Sequence, residues 1–75
     1  MPKYFFHVHD GVDLPDEIGT DLPGDEAARI EAVRASSEAI HELGAKFWTA
    51  EKWNMVVVDE SGRKVADLTF QGALH

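Results

Sequence analysis

The sequence predicts an α+β fold of two layers, an antiparallel sheet of three or four strands with one helix across one face. Three observations carry that expectation. An aromatic, β-favouring run opens the chain, an amphipathic stretch fills residues 25–43, and two apolar runs flank a turn near residue 60. The expected order is β-(β)-α-β-β in a single domain spanning 1–75. A chain of 75 residues buries only about 60% of its extended-chain surface. Domains of this size commonly gain stability from a partner.

Lys3-Tyr4-Phe5-Phe6-His7-Val8-His9 is rich in residues that fit a pleated surface and reads as a strand. Alternation puts Tyr4, Phe6 and Val8 on one face and Phe5, His7 and His9 on the other. Residues 10–24 carry Gly11, Pro15, Gly19, Pro23 and Gly24, the punctuation of a loop, with a short second strand expected within Glu17 to Leu22. Asp25 to Leu43 reads as the helix. Asp25 and Glu26 suit its positive end and Gly44 its left-handed stop. Its apolar arc is expected to gather Ala28, Ile30, Ala32, Val33, Ala39, Ile40 and Leu43, with the alanines forming a low ridge against the sheet. Arg29 falls inside that arc, where its stem can pack while the guanidinium reaches outward. Ala45 to Lys52 is a connection bearing Phe47 and Trp48. Trp53 to Asp59 and Arg63 to Phe70 form a hairpin across the Asp59-Glu60-Ser61-Gly62 turn. Both faces of the 53–59 strand are largely apolar, and a single helix covers only one. The uncovered face is therefore expected to be buried in a homodimer.

The charge distribution narrows the function classes. Asp10, Asp13, Asp16, Glu17, Asp21, Asp25 and Glu26 fall within 10–26 without one lysine or arginine, while the remaining acids and bases cancel, so this segment holds the whole net charge of −7. Phosphate-led binding to nucleic acid needs clustered basic residues and finds none. An acidic segment attracts a basic partner or a cation, or keeps a small protein in solution. With no cysteine, disulfides and thiolate sites are excluded, which fits a reducing cytoplasm. The longest apolar run, Met55 to Val58, is too short to span a bilayer.

Met1-Pro2-Lys3-Tyr4-Phe5-Phe6-His7-Val8, Asp10-Gly11, Asp16-Glu17-Ile18-Gly19, Leu22-Pro23 and Ala27-Ala28 resemble a bacterial family of short uncharacterised proteins. Its members, frequent in alphaproteobacteria, carry a domain-of-unknown-function label. Trp53, Val57, Asp59-Glu60 and Gly62-Arg63 match its closing hairpin, so the resemblance covers nearly the whole chain. It implies no known activity and no site residues. Gly24 stands where that family often has a capping Asp or Ser, and the 45–52 connection is more aromatic than its pattern. A looser similarity, through Leu22-Pro23-Gly24 and Glu26-Ala27-Ala28, is to HicB-type antitoxin domains, which neutralise small basic toxins that cleave RNA.

Candidate sites follow from residue type and spacing. His7 and His9 share a strand face with Cα atoms roughly 6.5–7 Å apart, and Asp10 is adjacent, a partial metal-ligand set lacking a further donor. The acids of the loop recur about every third residue, which scatters carboxylates rather than converging them on calcium. Ser36 and Ser37 lie mid-helix, without a nucleophile elbow, and no phosphate-binding glycine motif is present. Phe47, Trp48 and Trp53 could line a ligand groove, although aromatics at a helix–sheet junction more often belong to the core. The residues therefore favour a non-enzymatic interaction module with no cofactor. Asp13, Asp16, Glu17 and Asp21 are the expected contacts to a basic partner. Phe5, His7, His9, Val56 and Val58 are the expected contacts to a second copy.

Overall fold

In the computed structural model, which describes residues 1–50 and 52–75, one long helix lies across an antiparallel five-stranded sheet. The elements are β1 (Lys3–His9), β2 (Asp13–Leu14), β3 (Thr20–Asp21), α1 (Asp25–Leu43), a 3₁₀ turn (Gly44–Lys46), α2 (Phe47–Ala50), β4 (Lys52–Asp59) and β5 (Lys64–Gln71). The sheet order is β2-β1-β4-β5, with β3 also paired to β1. The α+β expectation therefore holds, with more strands than three or four. The second strand expected within 17–22 is only Thr20–Asp21, and Asp13–Leu14 adds another dipeptide beyond it. Pro15 and Gly19 interrupt the run between the two. The connection expected at 45–52 is helical over Gly44–Lys46 and Phe47–Ala50, and its residue Glu51 lies outside the described residues. Among the described residues no helix is long and apolar enough to cross a membrane.

The helix face against the sheet is built from small side chains. Ala28, Ala32 and Ser36 are buried, with Ala35, Ala39, Ile40 and Leu43 packed beside them. The sheet supplies the bulk through Tyr4, Trp53, Met55, Val57 and Val65. Ile30 and Val33 were expected on this face and are instead 65% and 56% exposed. At about 100° per residue Ile30 sits roughly 200° round from Ala28, so both cannot face one layer. The Ser36 hydroxyl, fully buried, donates to the Val33 carbonyl at 3.1 Å and leaves no polar atom orphaned.

The β4–β5 register slips between Val57 and Val58, which face Ala66 and Lys64 respectively. Val65 is the extra residue of this bulge and turns into the core, 7% exposed. Arg29 Nε donates to its carbonyl at 3.2 Å. The arginine that broke the apolar arc thus ties the helix to the irregular point of the sheet. Gly44 ends α1 at φ 52°, and its N–H donates back to the Ile40 carbonyl.

Four polar side chains lock the layers together. Tyr4 is 2% exposed, and its hydroxyl donates to Asp25 Oδ1 at 2.9 Å. Arg63 Nη2 donates to both Asp25 oxygens, at 2.9 and 2.8 Å, and its Nε donates to Asp59 Oδ2 at 3.0 Å. Asp59 Oδ1 accepts from the Ser61 amide, the Ser61 hydroxyl and the Arg63 amide, which shapes the hairpin turn. The Ser61 hydroxyl is the largest influence holding the Asp59 carboxyl down to about 2, against the opposing effect of burial. Arg63, then Tyr4, lower Asp25 below the usual carboxylate range. Burial, then Asp25, push the Tyr4 phenol up.

Both aspartates are more acidic folded than unfolded. Their contribution to stability is therefore complete above about pH 4, the ordinary aspartate value, and is lost as pH falls below it, toward about 2 in the case of Asp59. Denaturant titrations between pH 5 and 2 should show this loss, and Arg63→Ala should both lower the melting temperature at pH 7 and flatten that acid limb. An unaltered limb in the variant would rule the network out as its source. Ala32→Leu should cost about 1–3 kcal/mol by overpacking, whereas Ile30→Lys should stay within about 0.5 kcal/mol. Equilibrium urea unfolding of the two variants checks the helix phase.

Candidate functional site

The acidic segment runs along the outer edge of β1, with β2 holding its first half at Val8–His9 and β3 its second half at Lys3–Tyr4. Phe6 faces Val57 of β4 on its inner side, but between these two ladders no strand among the described residues pairs with its outer side, and Asp16 fills the gap. Its Oδ2 accepts from the Phe6 amide at 3.1 Å, and its Oδ1 accepts from the Ile18 and Gly19 amides at 3.0 Å each. The Asp16 amide in turn donates to His7 Nδ1 at 3.0 Å. Partial burial acts to raise the Asp16 carboxyl, yet its three amide donors outweigh burial and hold it below the usual range. Gly19 closes the loop at φ 79°, where a Cβ would lie 2.7 Å from Lys3 Cγ and 2.9 Å from Phe5 Cε1. Only glycine combines that backbone with that approach.

On the sheet face away from α1, Phe5, His7 and His9 stand opposite Val58, Val56 and Asn54. The five residues expected to meet a second copy therefore share one face, half-buried except for His9. The Phe5 and His7 rings stack at a centroid distance of 6.4 Å. A groove of about 470 Å³ runs across this face, bounded by Leu14 and Pro15 of the loop and by Asn54 and Val56 of β4. His7, His9 and Asp13 line it, and His9 Nδ1 lies 2.5 Å from Asp13 Oδ1.

The expected partner contacts divide in two. Asp13, Glu17 and Asp21 are exposed, whereas Asp16 is half-buried with its carboxylate committed to backbone amides. Asp10 sits apart from the histidine groove, in a second cleft with Glu42 and Lys46. Among the described residues no three His, Asp or Glu side chains converge where they would hold a metal ion. Of the aromatics, Trp53 is core and Phe47 packs against the core, while Trp48 is 44% exposed.

Three features escaped the sequence reading. Asn54 Nδ2 donates to Asp67 Oδ1, the Leu68 carbonyl and Thr69 Oγ1, so it clamps β4 to β5 on the open face. Asp16 is a structural hub, for which the Asp-x-x-Gly spacing of an Asx turn was the available signal. The Asp10 cleft carried no local signal at all.

Gly19→Ala should destabilise the fold by about 1–3 kcal/mol through the strained backbone alone, with the largest amide shifts at Phe6, His7 and Asp16. A thermal melt and an amide NMR spectrum check this, and a variant as stable as the parent would contradict the close approach.

No curated protein and no solved structure matches this chain. Residues 3–71, from the first residue of β1 to the last of β5, match the family model described as Domain of unknown function (DUF6894). The chain belongs to that family.

Proposed function

We propose that this chain is a non-enzymatic interaction module that meets a basic protein through its acidic segment and a second copy through its open sheet face. The observation that carries the reading is the composition of the loop surface. Asp13, Glu17 and Asp21 are exposed and, among the described residues, form no ion pair with lysine or arginine. Val12, Leu14 and Ile18 stand exposed between them, at 62%, 51% and 83%. An interface combines apolar contact with complementary charge, and this loop surface offers both.

The similarity of Leu22-Pro23-Gly24 and Glu26-Ala27-Ala28 to HicB-type antitoxin domains supports a small basic nucleic-acid-acting protein as the partner. The cysteine-free composition and the resemblance to a bacterial family support a bacterial cytoplasm as the setting. For self-association, Phe5, Val56 and Val58 supply apolar area, with His7 and His9 beside them.

The test is affinity capture at low salt with the parent chain and with a variant carrying Asp13→Asn, Glu17→Gln and Asp21→Asn. The parent should retain a basic protein that high salt releases, since exposed charges are screened beyond about 3 Å at 1 M salt. The variant should melt at the same temperature and retain none. Equal retention by both chains would overturn the reading. Native mass spectrometry should show a dimer that Val56→Asp converts to monomer, and a monomeric parent would remove the second copy from the proposal.

A further inference from the structure

At the opposite end of the sandwich from the Tyr4–Asp25 lock, the two layers leave a cleft of about 420 Å³. Its lining is apolar: Val8 of β1, Leu14 of β2, Trp53 of β4, and Ala39 and Leu43 from the last turns of α1. Its polar groups are Asp10, Glu42 and Lys46. None of the three takes part in an ion pair among the described residues. Two carboxylates thus face one ammonium. The C-terminal end of α1, whose carbonyls carry partial negative charge, lies at the same place through Glu42 and Leu43. The cleft is apolar inside and negative at its mouth.

We propose that this cleft is the anchor site for the basic partner, taking one large apolar side chain that lysine or arginine flanks on the partner's chain. The proposal rests on the interaction-module reading and deepens it by naming where the partner's apolar anchor goes. Charge complementarity selects the flanking residues, because the mouth opposes an acidic segment and attracts a basic one. Volume selects the anchor: the cleft is large enough for a leucine or an aromatic ring and has the apolar lining that such hot-spot pockets have. Continuity selects the source. Leu14 belongs both to this cleft and to the histidine groove, and Asp10 opens the acidic segment, so one partner chain can follow the exposed acids and end in the cleft.

The probe is an acetylated and amidated pentapeptide with one leucine between two pairs of lysines. It is compared with the same peptide carrying alanine for leucine, and with one carrying glutamates for lysines. Trp48→Phe leaves Trp53 as the one indole signal in a titration followed by NMR, since the chain has two tryptophans. The leucine peptide should shift the Trp53 indole and the Val8 and Leu43 methyls, and should bind about tenfold more tightly than the alanine peptide. Ala39→Leu should abolish that preference by filling the cleft, and Asp10→Asn with Glu42→Gln should weaken binding without a change in the core signals. Leucine and alanine peptides that bind alike, with shifts confined to 12–21, would overturn the cleft while leaving the acidic segment as a contact for basic proteins. Cationic peptides that shift no signal would overturn both. Equal binding of the glutamate peptide would overturn the basic flanks.

Discussion

The carboxylate of Asp25 is the point through which the layers are held in one orientation. It accepts from the Tyr4 hydroxyl in the sheet and from Arg63 beyond the hairpin turn, while sitting in the first turn of α1. A phenol as enclosed as that of Tyr4 needs a partner, because an unmet hydroxyl in an apolar interior is costly. Asp25 supplies it, and Arg63 neutralises the charge that this placement brings inward. The N-terminus of α1 is the favourable position for such a charge. One residue therefore serves the helix, an inner strand and the hairpin.

The packing between the layers follows from the same geometry. A helix held close to a sheet bearing Tyr4, Trp53 and Met55 must itself present small side chains, and α1 presents Ala28, Ala32 and Ser36. Farther along, the face widens to Ile40 and Leu43. There Leu43 and Ala39 face Val8 and Trp53 across the cleft. The bulge at Val65 adds volume on the β5 side and is held by Arg29. A small domain without disulfides thus depends on where bulk is placed rather than on how much it has.

Much of this was legible in the residues, for local reasons. The bounds of β1 and α1 follow from an aromatic run ending before Asp10-Gly11, and from Asp25-Glu26 and Gly44 at the two helix ends. The hairpin follows from Asp59 and Gly62 at its turn. The helix phase was only partly legible, because ranking side chains by hydrophobicity put Ile30 and Val33 inward while the facing sheet demanded alanine and serine. Of the candidate site, strand alternation alone placed Phe5, His7 and His9 on one face. What alternation could not supply was the role of Asp16, counted with its neighbours as one more surface charge. Its binding to the Phe6 amide depends on a turn back across ten residues, and the link from Tyr4 to Asp25 spans twenty-one. Contacts of that kind have no periodicity to betray them.

The position of β1 in the sheet also constrains how the chain reaches its native state. Tyr4 pairs with Asp59, and His9 with Asn54, so the inner strand β1 leaves the ribosome long before β4, its main neighbour. Until β4 has left the ribosome, β1 has only the two-residue strands β2 and β3 to pair with. Closing so long a loop is slow compared with forming α1, and the early strand is the stretch exposed to aggregation in that interval. The dense negative charge that follows it, from Asp10 to Glu26, sets two such unfolded segments in mutual repulsion, a like-charge term that opposes their approach.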